Sequence, residues 1–164
     1  MRASPWSRLA LWLLLPLPLG AAGCAGMTLR PRALDEAARV RDLGLAFGPD
    51  GSGSLTLALE VDNPTWWDAS VRGVDFELWL DGRRYAVGTR GASLLLGSGG
   101  RSSLNVAFPL RSEPTRDVGP PHVWRVEVRG GVALAFGETV RLLPFRTARD
   151  LKLPYFRPVE PEAE

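Results

Sequence analysis

The sequence predicts an all-β protein: an antiparallel β-sandwich of the immunoglobulin or fibronectin-III type, with seven to eight strands and room for one short helix. Several short segments alternate apolar and polar residues, which is the pattern of strands that bury one face. Turn-forming residues separate these segments, and most of the 18 glycines and 14 prolines lie between them. No long helical pattern intervenes, which disfavours the parallel sheet of a βαβ protein.

The first strands follow a stretch at 34–40 whose composition is compatible with one or two helical turns. Apolar residues then recur with a period of two at 43–47, before a glycine-rich turn at 48–53. The clearest strand is 55–61, where Leu and Val alternate with Thr, Ala and Glu. An Asn-Pro pair ends this strand, because proline offers no N–H group to a neighbouring strand.

The middle of the chain repeats the pattern around a hairpin. Asp81-Gly82 is a strong two-residue hairpin signal between alternating segments at 74–80 and 85–87. A brief apolar run follows at 94–96.

The last part of the chain continues the alternation. A polar, proline-rich connection at 111–121 is expected to be the flexible loop of the domain. Gly130-Gly131 predicts a tight turn that separates two strands. The remaining predicted strands are 104–110, 124–128, 132–136 and a last one that starts at Val140 and Leu142 and reaches toward Phe145.

The beginning of the chain has the features of an export signal. Two arginines form a charged start, an apolar run follows at 9–19, and small residues precede the only cysteine, Cys24. The apolar run is shorter than the ~20 residues that cross a bilayer. The sequence therefore predicts a signal peptide at 1–23 that is cleaved between Gly23 and Cys24.

The segment Ala21-Ala22-Gly23-Cys24-Ala25 resembles the lipobox of bacterial lipoprotein signals. In that family the cysteine thiol is acylated and the cysteine becomes the new N-terminus. The usual lipobox has leucine where this chain has Ala21, and a soluble exported form is the alternative. Ala25 resembles the outer-membrane sorting pattern of some Gram-negative bacteria. We therefore expect a lipid anchor at Cys24, on the outer membrane and facing the periplasm.

Removal of the signal would change the charge balance. Of the 20 lysines and arginines, Arg2 and Arg8 lie in the signal, which leaves 18 basic against 18 acidic side chains. A neutral chain lacks the basic footprint of a nucleic-acid-binding protein. Because Cys24 is the only cysteine, the domain is expected to fold without a disulfide.

The middle of the chain also carries an ordered series of short motifs. The segment 57–64, Leu-Ala-Leu-Glu-Val-Asp-Asn-Pro, precedes Val-Arg-Gly-Val-Asp-Phe-Glu-Leu-Trp-Leu-Asp-Gly at 71–82 and Ala-Val-Gly at 86–88. With Leu-Lys-Leu-Pro at 151–154, this series resembles the late embryogenesis abundant type 2 family, whose core is the WHy (water stress and hypersensitive response) domain. The family has a tyrosine where this chain has Phe76. The resemblance implies a β-sandwich that acts in tolerance of dehydration or other stress.

The residues of these motifs have roles in the fold. Asn63 can start a turn by bonding to its own backbone, and Pro64 stops the strand. Gly73 lies where the apolar register shifts, as at a β-bulge. Gly82 supplies the positive φ of a primed hairpin turn. We expect all four residues to be structural.

Catalytic chemistry has little support in the sequence. His122 is the only histidine, and a serine hydrolase would have to use it, but no Gly-x-Ser-x-Gly motif accompanies any serine. One histidine and an acylated cysteine cannot supply the ligands of a His/Cys metal site. We therefore expect no enzyme activity, metal or cofactor, and identify no small-molecule substrate. An exported hydrolase that depends on His122 is the alternative.

Three tryptophans are the candidate contact residues. Trp66 and Trp67 follow the Asn-Pro corner, and Trp79 lies at a polar position of its strand. Exposed aromatic side chains mark binding surfaces or contact with a bilayer interface. In the structural alternative, Trp66 or Trp67 packs on the open end of the sandwich and Trp79 packs beneath the long loop.

The predicted organisation has four parts: the signal peptide at 1–23, an anchor and tether at 24–42, the sandwich at 43–154 and a flexible, acidic, proline-rich tail at 155–164. We expect a non-enzymatic envelope protein, attached to the membrane by its N-terminal lipid. It would act in desiccation or stress tolerance through contacts with envelope proteins or membrane surfaces. The alternative is a structural or adaptor lipoprotein of an envelope assembly without a stress role.

Overall fold

The computed structural model describes residues 33–120 and 122–157, and within them the chain forms seven antiparallel strands and no helix. The strands are β1 (Ala38–Phe47), β2 (Ser52–Asp62), β3 (Ala69–Leu80), β4 (Arg83–Leu96), β5 (Arg101–Arg111), β6 (Val123–Phe136) and β7 (Thr139–Lys152). The predicted all-β class is confirmed. The signal peptide, Cys24 and most of the predicted tail lie outside the described residues.

The strands form two sheets that pack face to face. One sheet has three strands in the order β1-β2-β5, and the other has four in the order β4-β3-β6-β7. Each pair of neighbours is antiparallel. The chain changes sheet after β2, after β4 and after β5, so the connections that cross between the sheets lie at the ends of the sandwich. In the described part of the chain, no helix is long and apolar enough to cross a membrane.

The core lies between the two sheets and follows the period of two that the sequence contains. Alternate residues of β2 are buried along its length, and so are alternate residues of β3 and β6. The fully buried side chains of these three strands include Leu55, Leu57, Leu59, Val61, Val74, Leu78, Val126, Val128, Val132 and Leu134. Each such side chain stabilises the fold by about 1.5–3 kcal/mol relative to exposure.

The register shows which connections share an end. Ala38 at the start of β1 pairs with Val61 near the end of β2, and Ser70 at the start of β3 pairs with Ala135 near the end of β6. The start of the described chain, the β2–β3 connection and the β4–β5 turn therefore lie together at one end, which we call the N-terminal end. The β3–β4 hairpin, the long loop after β5 and the residues after β7 lie at the opposite end.

The short helix that the sequence allowed at 34–40 is wrong. Residues 33–37 form a turn, and β1 begins at Ala38. The contact between β1 and β2 extends into this segment as far as Ala37, whose carbonyl accepts the Asp62 N–H at 2.7 Å. The Ala37 side chain is also buried. Tertiary pairing has overridden a weak local preference for helix.

The predicted turn at Gly130-Gly131 is also wrong, since β6 runs straight through both glycines. Gly130 lies so close to β3 that an added Cβ would come within 2.1 Å of the Asp75 carbonyl oxygen. The Gly131 N–H donates to the Asp75 carboxylate. These glycines permit close approach between strands instead of reversing the chain. The segments 124–128 and 132–136 are one strand.

Two further differences concern the edges and the tail. The segments 85–87 and 94–96 also belong to one strand, β4, which is 14 residues long. Phe156 lies in the predicted tail, yet it is 6% exposed and belongs to the core. An apolar aromatic side chain that reaches the open end of a sandwich is buried there by the hydrophobic effect.

Candidate functional site

The β2–β3 connection forms a hydrogen-bonded corner that carries two adjacent tryptophans; we call residues 63–68 the tryptophan corner. Asn63 is 1% exposed. Its side-chain Nδ2 donates to the carbonyl oxygens of Trp67 at 2.6 Å and Gly97 at 2.9 Å. Its Oδ1 accepts bonds from the backbone N–H of Thr65 at 3.2 Å and from the Thr65 hydroxyl at 2.8 Å. One buried side chain therefore holds both the corner and the neighbouring turn.

The β4–β5 turn, 97–100, supports the corner from its other side. The Gly99 N–H donates to the Thr65 carbonyl at 3.0 Å, and the Ser98 hydroxyl donates to the same oxygen at 3.2 Å. The Ser98 N–H donates to the Asp68 carboxylate at 3.1 Å. The backbone of the corner is thus fixed before any partner arrives, which lowers the entropy cost of a contact.

The two indole side chains of the corner face solvent. Trp66 is 86% exposed and Trp67 is 63% exposed. The structural alternative, in which one of them packs on the open end of the sandwich, is therefore wrong. Asn63 and Thr65 of the same corner are both buried. Two adjacent exposed tryptophans on a fixed backbone form a surface suited to binding.

Sequence reasoning missed Leu95, a further exposed apolar residue at this end of the sandwich. Leu95 is 83% exposed. Leu95 lies opposite Ser70 of β3 in the strand pairing. Ser70 lies opposite Ala135 of β6, and Ala135 lies opposite the exposed Val140 of β7. The available signal was the run of three leucines at 94–96, because neighbouring residues of a strand point to opposite faces.

The chain enters the domain beside the tryptophan corner. The Ala37 carbonyl accepts its bond from Asp62, the residue that directly precedes the corner. Nine residues lead from Cys24, which lies outside the described part of the chain, to Ala33. A segment of that length spans about 30 Å at most.

Trp79 does not share this surface, because it lies near the far end of β3. It is half-buried on the outer face of the four-stranded sheet. Its Nε1 donates to Glu77 at 3.3 Å, and the Arg129 guanidinium lies 5.1 Å from the ring centroid. Glu127 accepts from Arg129 at 2.6 Å, and this bond holds the pKa of the Glu127 carboxyl below its usual value. Trp79 belongs to a cross-strand polar cluster, where a cation–π contact adds to its packing.

The four motif residues occupy structural positions. Pro64 follows Asn63 directly at the end of β2. The pairing of β3 with both of its neighbours is irregular between Val71 and Gly73, where the sequence indicated a bulge. Gly82 has φ of 79° and Asp81 has φ of 46°, which is the geometry of a primed hairpin turn.

His122 lies at the opposite end of the sandwich, beside this hairpin. Its Nε2 is 3.1 Å from the Asp81 carboxylate, and its ring meets Trp124 edge-on at 4.5 Å. Asp81 also accepts the Arg125 N–H at 2.8 Å. That backbone bond, followed by the histidine, holds the pKa of the Asp81 carboxyl below its usual value. Residues 33–120 and 122–157 contain no group of three or more His, Cys, Asp or Glu that could hold a metal ion.

Comparison with solved structures finds similar folds at low sequence identity. The Arabidopsis thaliana protein AT1g01470 has a TM-score of 0.59 at 19% identity, over 75% of this chain and 85% of that one. A candidate late embryogenesis abundant (LEA) protein, At2g46140.1, has a TM-score of 0.53 at 20% identity, over 71% and 70%. A protein from Archaeoglobus fulgidus has a TM-score of 0.51 at 12% identity, over 71% and 95%.

Comparisons at the level of sequence find no counterpart. No protein-family model matches the chain, and no curated protein matches it. The structural likeness establishes a fold shared with AT1g01470 and with the candidate LEA protein At2g46140.1.

Proposed function

We propose that this chain is a non-enzymatic lipoprotein of the cell envelope that holds its tryptophan corner against the membrane surface. One observation carries the proposal. The Asp62–Ala37 hydrogen bond places the entry of the chain beside Trp66 and Trp67. An acylated Cys24 would therefore bring this end of the sandwich, and not the opposite end, to the bilayer.

The physical chemistry of tryptophan supports this orientation. Indole side chains favour the interface between the hydrocarbon core and water, because the ring is apolar and its N–H is polar. Trp66, Trp67 and Leu95 together supply apolar area at this end. A neutral mature chain gains little from anionic lipids, so attachment would depend on the acyl chains. Once the lipid is inserted, contact at the corner becomes an intramolecular event at high effective concentration.

A role in desiccation or stress tolerance is the second part of the proposal. It is supported by the fold shared with a LEA protein and by the motif series at 57–64 and 71–82. A domain attached by both a lipid and a corner would stay at the membrane surface when water is withdrawn. There it could keep neighbouring surfaces apart or retain envelope proteins.

The orientation can be tested with two complementary tryptophan variants of the processed, acylated protein in vesicles of brominated phospholipid. The first variant, Trp79→Phe with Trp124→Phe, keeps the corner tryptophans, and we expect strong fluorescence quenching. The second variant, Trp66→Phe with Trp67→Phe, keeps Trp79 and Trp124, and we expect little quenching of their fluorescence. Equal quenching of the two sets, or none at the corner, would contradict the proposed orientation.

The anchor and the stress role need separate measurements. Mass spectrometry of the mature N-terminus should show an acylated Cys24, and Cys24→Ser should move the protein to the soluble fraction. A strain that lacks the gene should survive drying less well than one that carries it. If crosslinking from Trp67 instead captures one stoichiometric envelope protein while survival is unchanged, the adaptor function replaces the stress role.

A further inference from the structure

A cleft opens at the end of the sandwich opposite the tryptophan corner, between the edge strands β4 and β5. Its volume is about 720 Å³, which is within the range of pockets that hold small molecules. The apolar side chains of the lining are those of Leu80, Tyr85, Ala86, Leu110, Trp124 and Phe156. We call this site the β4–β5 cleft.

The cleft exists because β4 and β5 are edges of different sheets and do not pair with each other. Tyr85 on β4 bridges the gap, since its hydroxyl donates to the Arg111 carbonyl on β5. Phe156 packs beneath, with ring centroids 5.2 Å from Tyr85, 4.9 Å from Trp124 and 4.9 Å from Phe47. Burial raises the pKa of the Tyr85 hydroxyl further above its usual value, at which a tyrosine is already neutral near pH 7. The floor of the cleft is therefore aromatic and uncharged.

The rim of the cleft is cationic. Arg83, Arg84 and Arg111 line it and are exposed. Among the ion pairs within the described ranges, none uses these three guanidinium groups. Asp81 is the only carboxylate in the lining, and it already accepts bonds from His122 and the Arg125 backbone. An anion at this rim would meet guanidinium donors, which can bind a carboxylate through two parallel hydrogen bonds.

We propose that the β4–β5 cleft binds a single-chain anionic amphiphile, with its acyl chain on the aromatic floor and its carboxylate at the arginine rim. The combination of an apolar floor and a one-sided cationic rim is the complement of such a molecule. A neutral ligand would leave the arginines without a partner, and a small anion would leave the half-buried side chains of Tyr85, Ala86 and Trp124 exposed to water. The proposal does not depend on the function of the tryptophan corner.

Isothermal titration of the purified full chain tests the site, with laurate as the probe. We expect one laurate to bind per chain. Butyrate has the same head group without the long chain, and dodecyltrimethylammonium has the chain with the opposite charge. We expect both to bind at least 100-fold more weakly. Laurate binding that is absent, or that is matched by the cationic amphiphile, would overturn the proposal.

Variants assign the binding to the cleft. Arg83→Glu combined with Arg111→Glu should weaken laurate binding at least tenfold, and Ala86→Leu should weaken it by reducing the space on the floor. The matched control is Arg141→Glu, an exposed arginine on β7; it should leave the affinity unchanged. Thermal unfolding of each variant identifies any that fail to fold. If the folded charge-reversed protein binds laurate as well as the parent does, the site lies elsewhere.

Two further variants exclude other occupants. Trp66→Phe with Trp67→Phe should keep full laurate affinity, and loss of affinity there would move the site to the corner. Residues 158–164 carry three glutamates, so binding of this segment to the arginine rim is the alternative that the next variant tests. Removal of 158–164 should leave the affinity within threefold of the parent. If laurate binds only after this removal, the cleft belongs to the acidic segment instead.

Discussion

The buried side chain of Asn63 donates a 2.6 Å hydrogen bond to the backbone carbonyl of Trp67, whose indole is exposed. This hydrogen bond directly joins a buried structural residue to a residue of the candidate site. The bond explains how an exposed aromatic side chain can keep a defined position, since its backbone is held by an amide inside the sandwich. It also means that the candidate surface can be loosened without altering either tryptophan.

Asn63→Ala is the first prediction. The substitution removes a buried amide whose two N–H groups contact three carbonyl oxygens and whose oxygen accepts two bonds. It leaves the buried Thr65 N–H without its acceptor and takes one donor from each of three carbonyls, and each buried group left unpaired costs about 1–3 kcal/mol. We expect the free energy of unfolding in urea to fall by about 3 kcal/mol.

The control for Asn63 is Asp68→Ala, which removes one exposed acceptor and should cost less than about 1 kcal/mol. If the two variants are equally stable, the corner is not held by Asn63.

Gly130→Ala is the second prediction. A Cβ at this position would lie 2.1 Å from the Asp75 carbonyl oxygen and 2.8 Å from the Phe145 ring. Backbone atoms of a central strand cannot move aside cheaply, so we expect a loss of about 3 kcal/mol in the free energy of unfolding.

Gly91→Ala is the matched control, because it lies in edge strand β4 with nothing within 4 Å of the added atom. It should be neutral or slightly stabilising, since alanine has less conformational freedom in the unfolded chain. A Gly130→Ala protein as stable as Gly91→Ala would be inconsistent with the close approach of β3 and β6.

Phe156→Ala is the third prediction. Phe156 contacts three aromatic rings and is almost completely buried. Truncation of a buried phenylalanine usually costs about 3–5 kcal/mol, so the midpoint of urea unfolding should fall clearly. Arg157→Ala changes the exposed neighbour and should have little effect. Equal stability of these two variants would show that Phe156 belongs to a tail outside the domain and does not pack in the core.

These differences show what local sequence patterns can and cannot predict. The alternation at 55–61 and the Asp81-Gly82 turn were predicted correctly, because strand burial and hairpin geometry depend on adjacent residues. Gly130-Gly131 has the local signature of a turn. Its real role depends on Asp75, 55 residues before Gly130. Only the apolar residues on both sides of the glycines, which keep the same even parity at 126, 128, 132, 134 and 136, could have indicated a continuous strand.

Some features of the candidate site could likewise be predicted from local sequence, and others could not. Trp66 and Trp67 could be selected from the sequence because two adjacent large aromatic residues follow an Asn-Pro pair. Their position beside the entry of the chain required the β1–β2 register. Trp79 lies apart from them, because it is near the other end of β3. The β4–β5 cleft has no sequence motif, since it arises where two sheet edges fail to meet.

Acid sensitivity is the last prediction. Several carboxyl groups have a pKa below the usual value in the folded protein. Hydrogen bonds cause the largest part of each shift: from the side chain of Arg41 to Glu60, from that of Arg149 to Asp42, and from the Arg125 backbone to Asp81. A carboxyl group whose pKa is lower in the folded than in the unfolded state adds stability above its unfolded pKa, which is about 4. It loses that contribution as the pH falls through its folded pKa.

We expect the midpoint of urea unfolding to change little between pH 7 and 5 and to fall steadily below pH 4. Asp81→Asn should weaken this dependence and should also lower stability at pH 7, because its bond to the Arg125 backbone becomes uncharged. A midpoint that rises on acidification would show that these ion pairs do not stabilise the fold.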